Sequence, residues 1–594
     1  MKQGKSSAPG THEPGYWFGS LRLESDGTLL RGNTAIHLPP KELEALRLLL
    51  AHAGETVSPL QLKKALWGDV HVTADSVPRC LSSLRAKLTP DDCIQTVYKR
   101  GYRFSVQVRR HVDASLGELQ RLAIMPFATG LNVPEYLGKA IMEETISLLR
   151  GTHLAPGLMD AMDSVFTLVR RGLSPQQVGE ALSADLVLAG SLSLLPAHYR
   201  LRVEMIRVED GAQLWIEDLL AARARSAGVE SELVERLVSR LGNGNICLAA
   251  AASPSEEDNE NGPVRSEAWE LYQRGRIEGQ TLERRRMQEG MQLLSRATEL
   301  DPSLAAAHVD LANVSVTQAL FGFIPPEAAA KQVRRAASAI KSPNHGMEAI
   351  LPELGWVRFH VDRDLNGALD AFAESGHLPH DTWTTRARAM FALSRHRFGE
   401  AIELLSAAMR EDPYSPWLNA RLGWAYHLAG EGSISRDQIE RAITMCPLHE
   451  GAILYGATIL AWHGDANRAV KLVEDLAQRS PNFDIATAVY SYALACADRR
   501  EEARAILERL QWLSRERYVL RSFTPAVYVA LGDLEGAMSE LCAAEKARCP
   551  WFFQMLADPR LRPLRVLPDF IRMHEMLARM ENNTPPDRED QPGR

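Results

Sequence analysis

Four aliphatic residues recur at helical spacing between residues 73 and 88, and polar or basic residues occupy the positions between them. They are Val77, Leu81, Leu84 and Leu88, which share one narrow face at a period of 3.6 residues. The other positions offer guanidinium, ammonium and hydroxyl groups, from Arg79, Ser82, Ser83, Arg85 and Lys87. Such groups bond guanine edges and phosphates. We predict a helix that begins near Ser76 with Asp75 as its cap, which leaves Pro78 harmlessly in the first turn.

Short β-prone runs and two further helices surround this helix. A turn at residues 98–101 separates the last two runs, and Gly101 can supply a positive φ there. Lys99 and Arg100 lie at its tip, within reach of a phosphate or a narrow minor groove. The predicted order is strands 16–23, 28–31 and 34–38, helices 41–53 and 58–67, the helix described above, and strands 94–97 and 102–105.

Residues 16–108 resemble the winged helix-turn-helix output domain of OmpR/PhoB-type transcription factors. The matching segments are residues 40–46, 66–68, 84–88 and 101–104. The runs 79–81 and 96–102 are similar to activators of the HilA-like class. The wing is the predicted hairpin of strands 94–97 and 102–105. The resemblance implies that the third helix enters the major groove, that the wing contacts the minor groove, and that the loop with Asp69, Val70 and His71 touches RNA polymerase. Lys99 departs from the family, in which glycine is common at that position of the wing.

Residues 121–222 alternate between β-prone and helical segments, which predicts a small α/β domain. The turn Asp210-Gly211 joins the last two strands. Residues 125–127, 185–192 and 210–215 are similar to the TolB N-terminal-like module. The acidic pair and phosphoacceptor Asp of a phosphorelay receiver do not occur in the sequence. This domain is either a ligand or partner pocket or a structural spacer or dimerisation module, and the second interpretation is favoured. The predicted elements are strands 122–127, 185–192, 199–207 and 213–217 and helices 136–150, 174–182 and 230–240.

Proline recurs at a fixed interval in the C-terminal half. Pro379, Pro413, Pro447 and Pro481 are 34 residues apart, and a helix–turn–helix unit of that length is the tetratricopeptide pattern. Small residues recur where paired helices must approach closely, at Gly355, Ala389, Gly423 and Ala457. We expect roughly eight units between residues 265 and 550, stacked into a superhelix. Its concave face either binds a protein or peptide ligand or serves only as a scaffold.

Charge is unevenly distributed along the chain. Residues 1–110 contain 16 Lys and Arg against 10 Asp and Glu, a net charge of +6, which leaves −13 for the rest of a chain of net charge −7. A basic N-terminal segment followed by an acidic remainder is typical of a protein that binds nucleic acid at one end. The seven scattered cysteines indicate reduced thiols in a cytoplasm. No apolar run approaches the ~18–20 residues of a membrane helix, so no membrane partner is expected.

No catalytic, metal-binding or cofactor-binding pattern stands out in the sequence. His449-Glu450 begins like a zinc protease motif, but Ile453 replaces the second histidine. Residues 257–262 faintly resemble a calcium loop, but Ala268 occupies its twelfth position. We therefore expect a protein that is not an enzyme and that needs neither a metal nor a cofactor.

The predicted architecture is multidomain, α+β and all-α. We expect a one-component transcription factor, an activator by resemblance, that binds double-stranded DNA and RNA polymerase and that uses its repeats to bind partners or to form homo-oligomers. A rival interpretation stays open, in which the chain is a tetratricopeptide adaptor or secretion chaperone whose winged helix contacts protein. The predicted segments are a disordered N-terminus (1–15), a winged helix-turn-helix (16–110), a TolB N-terminal-like α/β domain with its following helix (121–245), a linker (249–264), tetratricopeptide-like repeats (265–580) and a disordered tail (581–594).

Overall fold

The chain divides into two units in the computed structural model, residues 1–117 and residues 118–594. The two predicted disordered ends and the predicted linker lie almost wholly outside the described residues, and the domain boundaries remain predictions. The structure describes residues 15–18, 21–23, 28–31, 34–68, 73, 75–89, 93–97, 100–106, 108–111, 121–150, 152, 154, 158–159, 161–195, 198–222, 229–241, 262–340, 346–375 and 382–582.

The described part of the first unit contains three helices and two small sheets. The helices are α1 (Pro40–Ala51), α2 (Pro59–Trp67) and α3 (Ser76–Leu88). An antiparallel sheet is formed by β1 (Gly15–Phe18), β2 (Leu21–Leu23), β3 (Leu29–Arg31), β4 (Thr34–Ile36) and β8 (Val108–His111), in the order β4-β3-β2-β1-β8. The second sheet has the order β5-β7-β6, from β5 (Thr56–Val57), β6 (Ile94–Val97) and β7 (Gly101–Phe104). The sequence pattern did not predict β5 or β8.

Local sequence signals explain where α2 and α3 begin. The Ser58 hydroxyl accepts a hydrogen bond from the Gln61 backbone N–H, and the Gln61 side chain accepts one from the Ser58 N–H. This capping box satisfies two backbone donors that the first helical turn leaves open. The helix α3 begins at Ser76, as predicted, so Pro78 lies in its first turn and no internal helical hydrogen bond is lost.

An α/β layer opens the second unit, and its central strand is β11. Strand β11 runs parallel to β9 and β10 and antiparallel to β12, and β13 follows at the edge. Helix α5 was not predicted, and β13 extends beyond the predicted strand. The elements are β9 (Leu122–Ile124), β10 (Ala128–Thr129), β11 (Leu186–Leu194), β12 (His198–Arg207) and β13 (Gln213–Ala222), with α4 (Glu135–Arg150), α5 (Met162–Arg170), α6 (Pro175–Leu182) and α7 (Val229–Leu241).

Eighteen helices of the described chain follow as nine consecutive pairs, eight of them between Gly262 and Lys546. Pro413, Pro447 and Pro481 each lie in the turn that leads into a new pair, whereas Pro379 lies outside the described residues. The pairs are α8 (Gly262–Gly279) with α9 (Arg284–Leu300), α10 (Ala305–Leu320) with α11 (Pro326–Ala339), α12 (Gly346–Val357) with α13 (Leu365–Ser375), α14 (Thr382–Ser394) with α15 (Phe398–Glu411), α16 (Pro416–Ala429) with α17 (Gly432–Met445), α18 (Glu450–Trp462) with α19 (Ala466–Arg479), α20 (Asp484–Cys496) with α21 (Arg500–Glu516), α22 (Thr524–Ala530) with α23 (Leu534–Lys546), and α24 (Phe552–Ala557) with α25 (Pro568–Asn582).

A C-terminal stretch of the chain, residues 549–566, packs inside this array and is called the inner segment here. Most first helices of successive pairs contact one another, as in α10 with α12 and α16 with α18, which places them on the concave side of a curved repeat array. The inner segment meets that side directly. Trp551 Nε1 donates to the Leu320 carbonyl at 2.7 Å, and Trp424 Nε1 donates to Gln554 Oε1 at 3.1 Å. The concave side is therefore filled, at least in part, by the chain's own residues.

Buried and partly buried charges attach the α/β layer to the repeats. Arg386 of α14 donates to Asp163 at 2.9 Å and to Asp412 at 3.4 Å, and the Ser164 backbone N–H donates to Asp412 Oδ1 at 2.7 Å. A second contact joins Arg276 of α8 to Glu143 of α4 at 3.2 Å. Because breaking such buried pairs leaves an uncompensated charge, these contacts hold the two layers in one arrangement.

No helix in the described part of the chain is long and apolar enough to cross a membrane.

Candidate nucleic-acid interface

Helix α3 has one face in the core and one face in solvent. Val77, Leu81, Leu84 and Leu88 are buried, as their spacing predicted, and they pack into the core of the first unit. Arg79 and Ser82 are exposed on the other side. Since the buried face fixes the rotation of the helix, these two side chains are available to a partner outside the unit.

Two further residues predicted to contact DNA are bonded to Glu42 of α1. Ser83 Oγ donates to Glu42 Oε1 at 2.7 Å, and Lys87 Nζ lies 2.7 Å from Glu42 Oε2. The Glu42 side chain is nearly buried, at 8 % exposure. One carboxylate thus holds two successive turns of α3 against α1, and it offsets the charge of Lys87.

Arg85 ties α3 to the wing. Its Nε donates to the Ile94 carbonyl at 3.0 Å, and its Nη2 donates to Thr96 Oγ1 at 2.8 Å. The guanidinium also lies 5.8 Å from the centre of the Tyr102 ring. These contacts set the wing relative to α3, which makes Arg85 a positioning residue in the unbound protein.

The wing tip exposes Arg100, whose backbone N–H donates to the Val97 carbonyl at 2.9 Å. Gly101 has a φ of +140°, and a Cβ at this position would lie 2.1 Å from the Val57 carbonyl oxygen. Only glycine allows β5 and β7 to approach this closely. Lys99 lies outside the described residues, as do Asp69, Val70 and His71 of the predicted polymerase loop.

Arg103 is an exposed cation of the wing that the sequence reasoning missed. It lies on β7 next to the buried Phe104, and its Nη2 donates to Thr56 Oγ1 at 3.2 Å. Strand alternation was the signal that could have found it, because a buried Phe104 requires Arg103 to face the other side.

The thiol nearest to this surface is Cys80 on α3, and it is half-buried. Burial, followed by the charge of Glu42, raises the pKa of Cys80, so its reactive thiolate is disfavoured. Within the described ranges, no group of three His, Cys, Asp or Glu residues could hold a metal ion.

Part of the first unit matches a known protein family. Residues 33–104 match the family model described as "Transcriptional regulatory protein, C terminal". This part of the chain is an OmpR/PhoB-type domain.

The curated relatives extend the comparison beyond this domain. The chain is 22 % identical over 469 residues to the transcriptional regulator HilA of Salmonella typhimurium, an alignment that covers 78 % of this chain and 76 % of that protein. A Rhizobium meliloti protein named as an adenylate cyclase is 26 % identical over 198 residues, which is 33 % of this chain and 32 % of that protein.

Among solved structures, the DNA-binding domain of E. coli CadC matches this chain at 27 % identity, with a TM-score of 0.15. The match covers 17 % of this chain and 98 % of the CadC domain. The family match and the HilA relatives support a DNA-binding transcriptional regulator. The resemblance to the OmpR/PhoB-type and HilA-like regulators is thereby confirmed.

Proposed function

We propose that this chain is a cytoplasmic one-component transcription factor that recognises promoter DNA through α3 and the wing and that activates genes. The observation that carries the proposal is the two-faced α3. Its aliphatic side is buried in the core of the first unit, while Arg79 and Ser82 are exposed on the opposite side. A helix with that arrangement can enter a major groove and offer donors to base edges.

The predicted contact residues take different roles in this proposal. Arg79 and Ser82 read bases, and Lys99 and Arg100 contact phosphates or the minor groove. Ser83, Arg85 and Lys87 stay candidate DNA contacts, but each already has a protein partner. We assign them first to holding α3 and the wing in the geometry that DNA requires, with phosphate contact as a second role.

Activation rests on the loop with Asp69, Val70 and His71, which we propose as the contact to RNA polymerase by resemblance to the OmpR/PhoB-type family. For the repeats we propose partner binding or self-association. Because the inner segment occupies the concave side, a protein or peptide partner would bind elsewhere on the array or displace that segment.

Mapping of the DNA bound by the full chain in cells, followed by anisotropy titrations with the recovered sites, tests the proposal. Binding should be sequence-specific and salt-dependent, because each phosphate contact releases counterions. Full-length protein that ignores every DNA at low salt, while the winged helix captures a protein, would instead support the adaptor or chaperone interpretation.

A further inference from the structure

A partly open cavity of about 70 Å³ lies within the repeat array, among α10, α12, α13, α14 and α16. The inner segment contributes Pro550 and Gln554 to its wall. Aromatic and aliphatic side chains form most of its wall, and polar groups are placed at a few points. Small-molecule sites have this composition, since apolar walls exclude water and a few polar groups fix the ligand.

Arg421 is a cation of this cavity with no ion pair among the described residues. Its guanidinium stacks on Trp417, at 5.3 Å from the ring centre, and hydrogen-bonds the Tyr455 hydroxyl. In the part of the chain that the structure describes, no carboxylate forms an ion pair with it, and its Nε has no acceptor. Arg421 is partly buried, and the charge of Asp163 favours its ionised form from beyond ion-pair distance. An anion in direct contact with the guanidinium would stabilise this charge further.

Two more polar groups in the wall have unsatisfied ring nitrogens. Trp356 and His360 are 8 % and 5 % exposed, and neither Trp356 Nε1 nor His360 Nδ1 has a hydrogen-bond partner among the described residues. His360 belongs to a π-helical turn, Arg358–Asp362, which continues α12. Such turns are rare and occur frequently at functional sites. Burial, with the charge of Arg363, lowers the pKa of His360 to about 3, so its ring is neutral.

The other charges in the wall restrict the ligand to a small, singly charged anion. Arg386 is engaged by Asp163 and Asp412, so Arg421 supplies the positive charge that remains for a ligand. Glu353 also lines the cavity, and its negative charge repels a dianion such as phosphate about twice as strongly as a monoanion. Benzene, with six non-hydrogen atoms, binds in a cavity of roughly 150 Å³, so about 70 Å³ holds about three such atoms. A fourth or fifth atom would lie in the opening of the cavity.

We propose that this cavity binds a short-chain monocarboxylate, the size of acetate or propionate. One carboxylate oxygen accepts from Arg421 and the other from Trp356, and the alkyl end lies against the apolar wall. The site is separate from the DNA-binding unit and stands independently of the proposed function.

Calorimetric titration of the full chain with sodium acetate and sodium propionate tests this site, with ionic strength held constant by sodium chloride. Saturable binding is expected, with a dissociation constant no tighter than about 10⁻⁵–10⁻⁴ M, because so few ligand atoms cannot supply more affinity. Arg421→Met should weaken binding about tenfold or more, since it removes a charge-assisted bond. The control Arg441→Met, at an exposed arginine of α17, should bind like the unaltered chain.

Arg421→Met removes a charge that has no direct ion pair, but it also removes the contacts with Trp417 and Tyr455. The melting temperature without ligand should therefore change little. If that variant fails to fold, Trp356→Phe tests the site instead. It keeps an aromatic ring but removes the N–H donor, and it should weaken acetate and propionate binding by about threefold to tenfold. Three results would overturn the proposal: no saturable heat up to ~20 mM of either ligand, equal binding by both cavity variants and the unaltered chain, or binding of inorganic phosphate without binding of acetate.

Discussion

Lys87 Nζ lies 2.7 Å from Glu42 Oε2, and this ion pair joins the last turn of α3 to α1. The same carboxylate accepts from Ser83 one turn earlier. Glu42 is therefore the internal anchor of the helix proposed to read DNA. Its partners, Lys87 and Ser83, are two of the residues that the sequence alone predicted to contact DNA.

Replacement of Glu42 by Gln should loosen α3. The amide can still accept from Ser83, but it loses the ion pair, at a cost of about 1 kcal/mol once solvent screening of this partly exposed pair is allowed for. Peptides that cover residues 76–88 should then exchange amide hydrogens roughly fivefold faster in the full-length protein, as measured by mass spectrometry.

Glu44→Gln on the same helix is the matched control. Its pair with Lys41 is about half exposed on both sides, and such pairs contribute little to stability. If both variants accelerate exchange in α3 equally, Glu42 is not the anchor.

Arg79→Ala should relax base preference at one position of the recognition sequence. The exposed Arg79 is proposed to bond a base edge, and losing such a contact costs about 1–3 kcal/mol on specific DNA and much less on random DNA. Competition anisotropy with single-base variants of the site measures this difference. Equal losses on specific and random DNA would contradict a base-reading role.

Arg100→Ala should weaken binding to all sequences by similar factors. Arg100 is exposed at the wing tip, and loss of one phosphate contact lowers the slope of log affinity against log salt by about 0.9. Titrations at several salt concentrations measure this slope, and Arg79→Ala provides the comparison. An unchanged slope would show that Arg100 does not contact a phosphate.

Local signals predicted much of this fold because they act within one or two turns of chain. The cap at Ser58 and the position of Pro78 depend on nearby residues, and α2 and α3 begin within one residue of where they were predicted. The proline spacing predicted paired repeat helices, and Pro413, Pro447 and Pro481 each lie in a turn that leads into a new pair. Strands β5 and β8 depend on distant partners. β8 exists by pairing with β1, where Gly15 faces His111, and short strands are defined more by such pairing than by intrinsic preference.

The candidate DNA surface shows the same difference between local signals, which could be predicted, and contacts between distant residues, which could not. Helical periodicity predicted that Arg79 and Ser82 face away from the core, because it needs only the buried stripe of α3. It could not predict that Glu42 binds Ser83 and Lys87, since that contact joins two helices more than 40 residues apart. The filling of the concave side by the inner segment was missed for the same reason.

Asp558→Asn should destabilise the repeat array strongly. Asp558 is fully buried and paired with Arg560 at 2.7 Å, and it also lies 3.4 Å from His427 of α16. Despite burial, the charge of Arg560 holds the pKa of Asp558 well below its usual range. The loss of the negative charge leaves Arg560 buried without a counterion, at a cost of about 3–5 kcal/mol.

Thermal and urea unfolding of the full chain measure this loss. Asp569→Asn, which breaks the exposed pair between Asp569 and Arg572, is the control and should change stability by less than about 0.5 kcal/mol. Because the pKa of Asp558 is lowered on folding, its contribution is present at neutral pH and disappears only in strong acid. A stable Asp558→Asn variant would mean that Arg560 finds another partner.

Asp412→Asn should remove a pH dependence from the contact between the α/β layer and the repeats. Burial, and then the negative charge of Asp163, raise the pKa of Asp412 to about 7. Between pH 4 and pH 7 the folded protein therefore keeps a proton on Asp412 that the unfolded chain releases. Its favourable contribution is complete below the ordinary carboxyl pKa and declines as the pH rises toward about 7, by up to a few kcal/mol.

The amide of Asn imitates the protonated carboxyl group and can still accept from the Ser164 backbone N–H, which lies 2.7 Å from Asp412 Oδ1. The variant should thus be nearly insensitive to pH over this range. Hydrogen exchange of residues 161–170 and 404–418, compared at pH 5 and pH 8 after correction for the intrinsic rates, measures the effect. Asp437→Asn, at an exposed aspartate of α17, should keep the behaviour of the unaltered chain. If Asp412→Asn also loosens this contact as the pH rises, another group must carry the proton, and Asp163 would be the first to test because Arg386 joins it to Asp412.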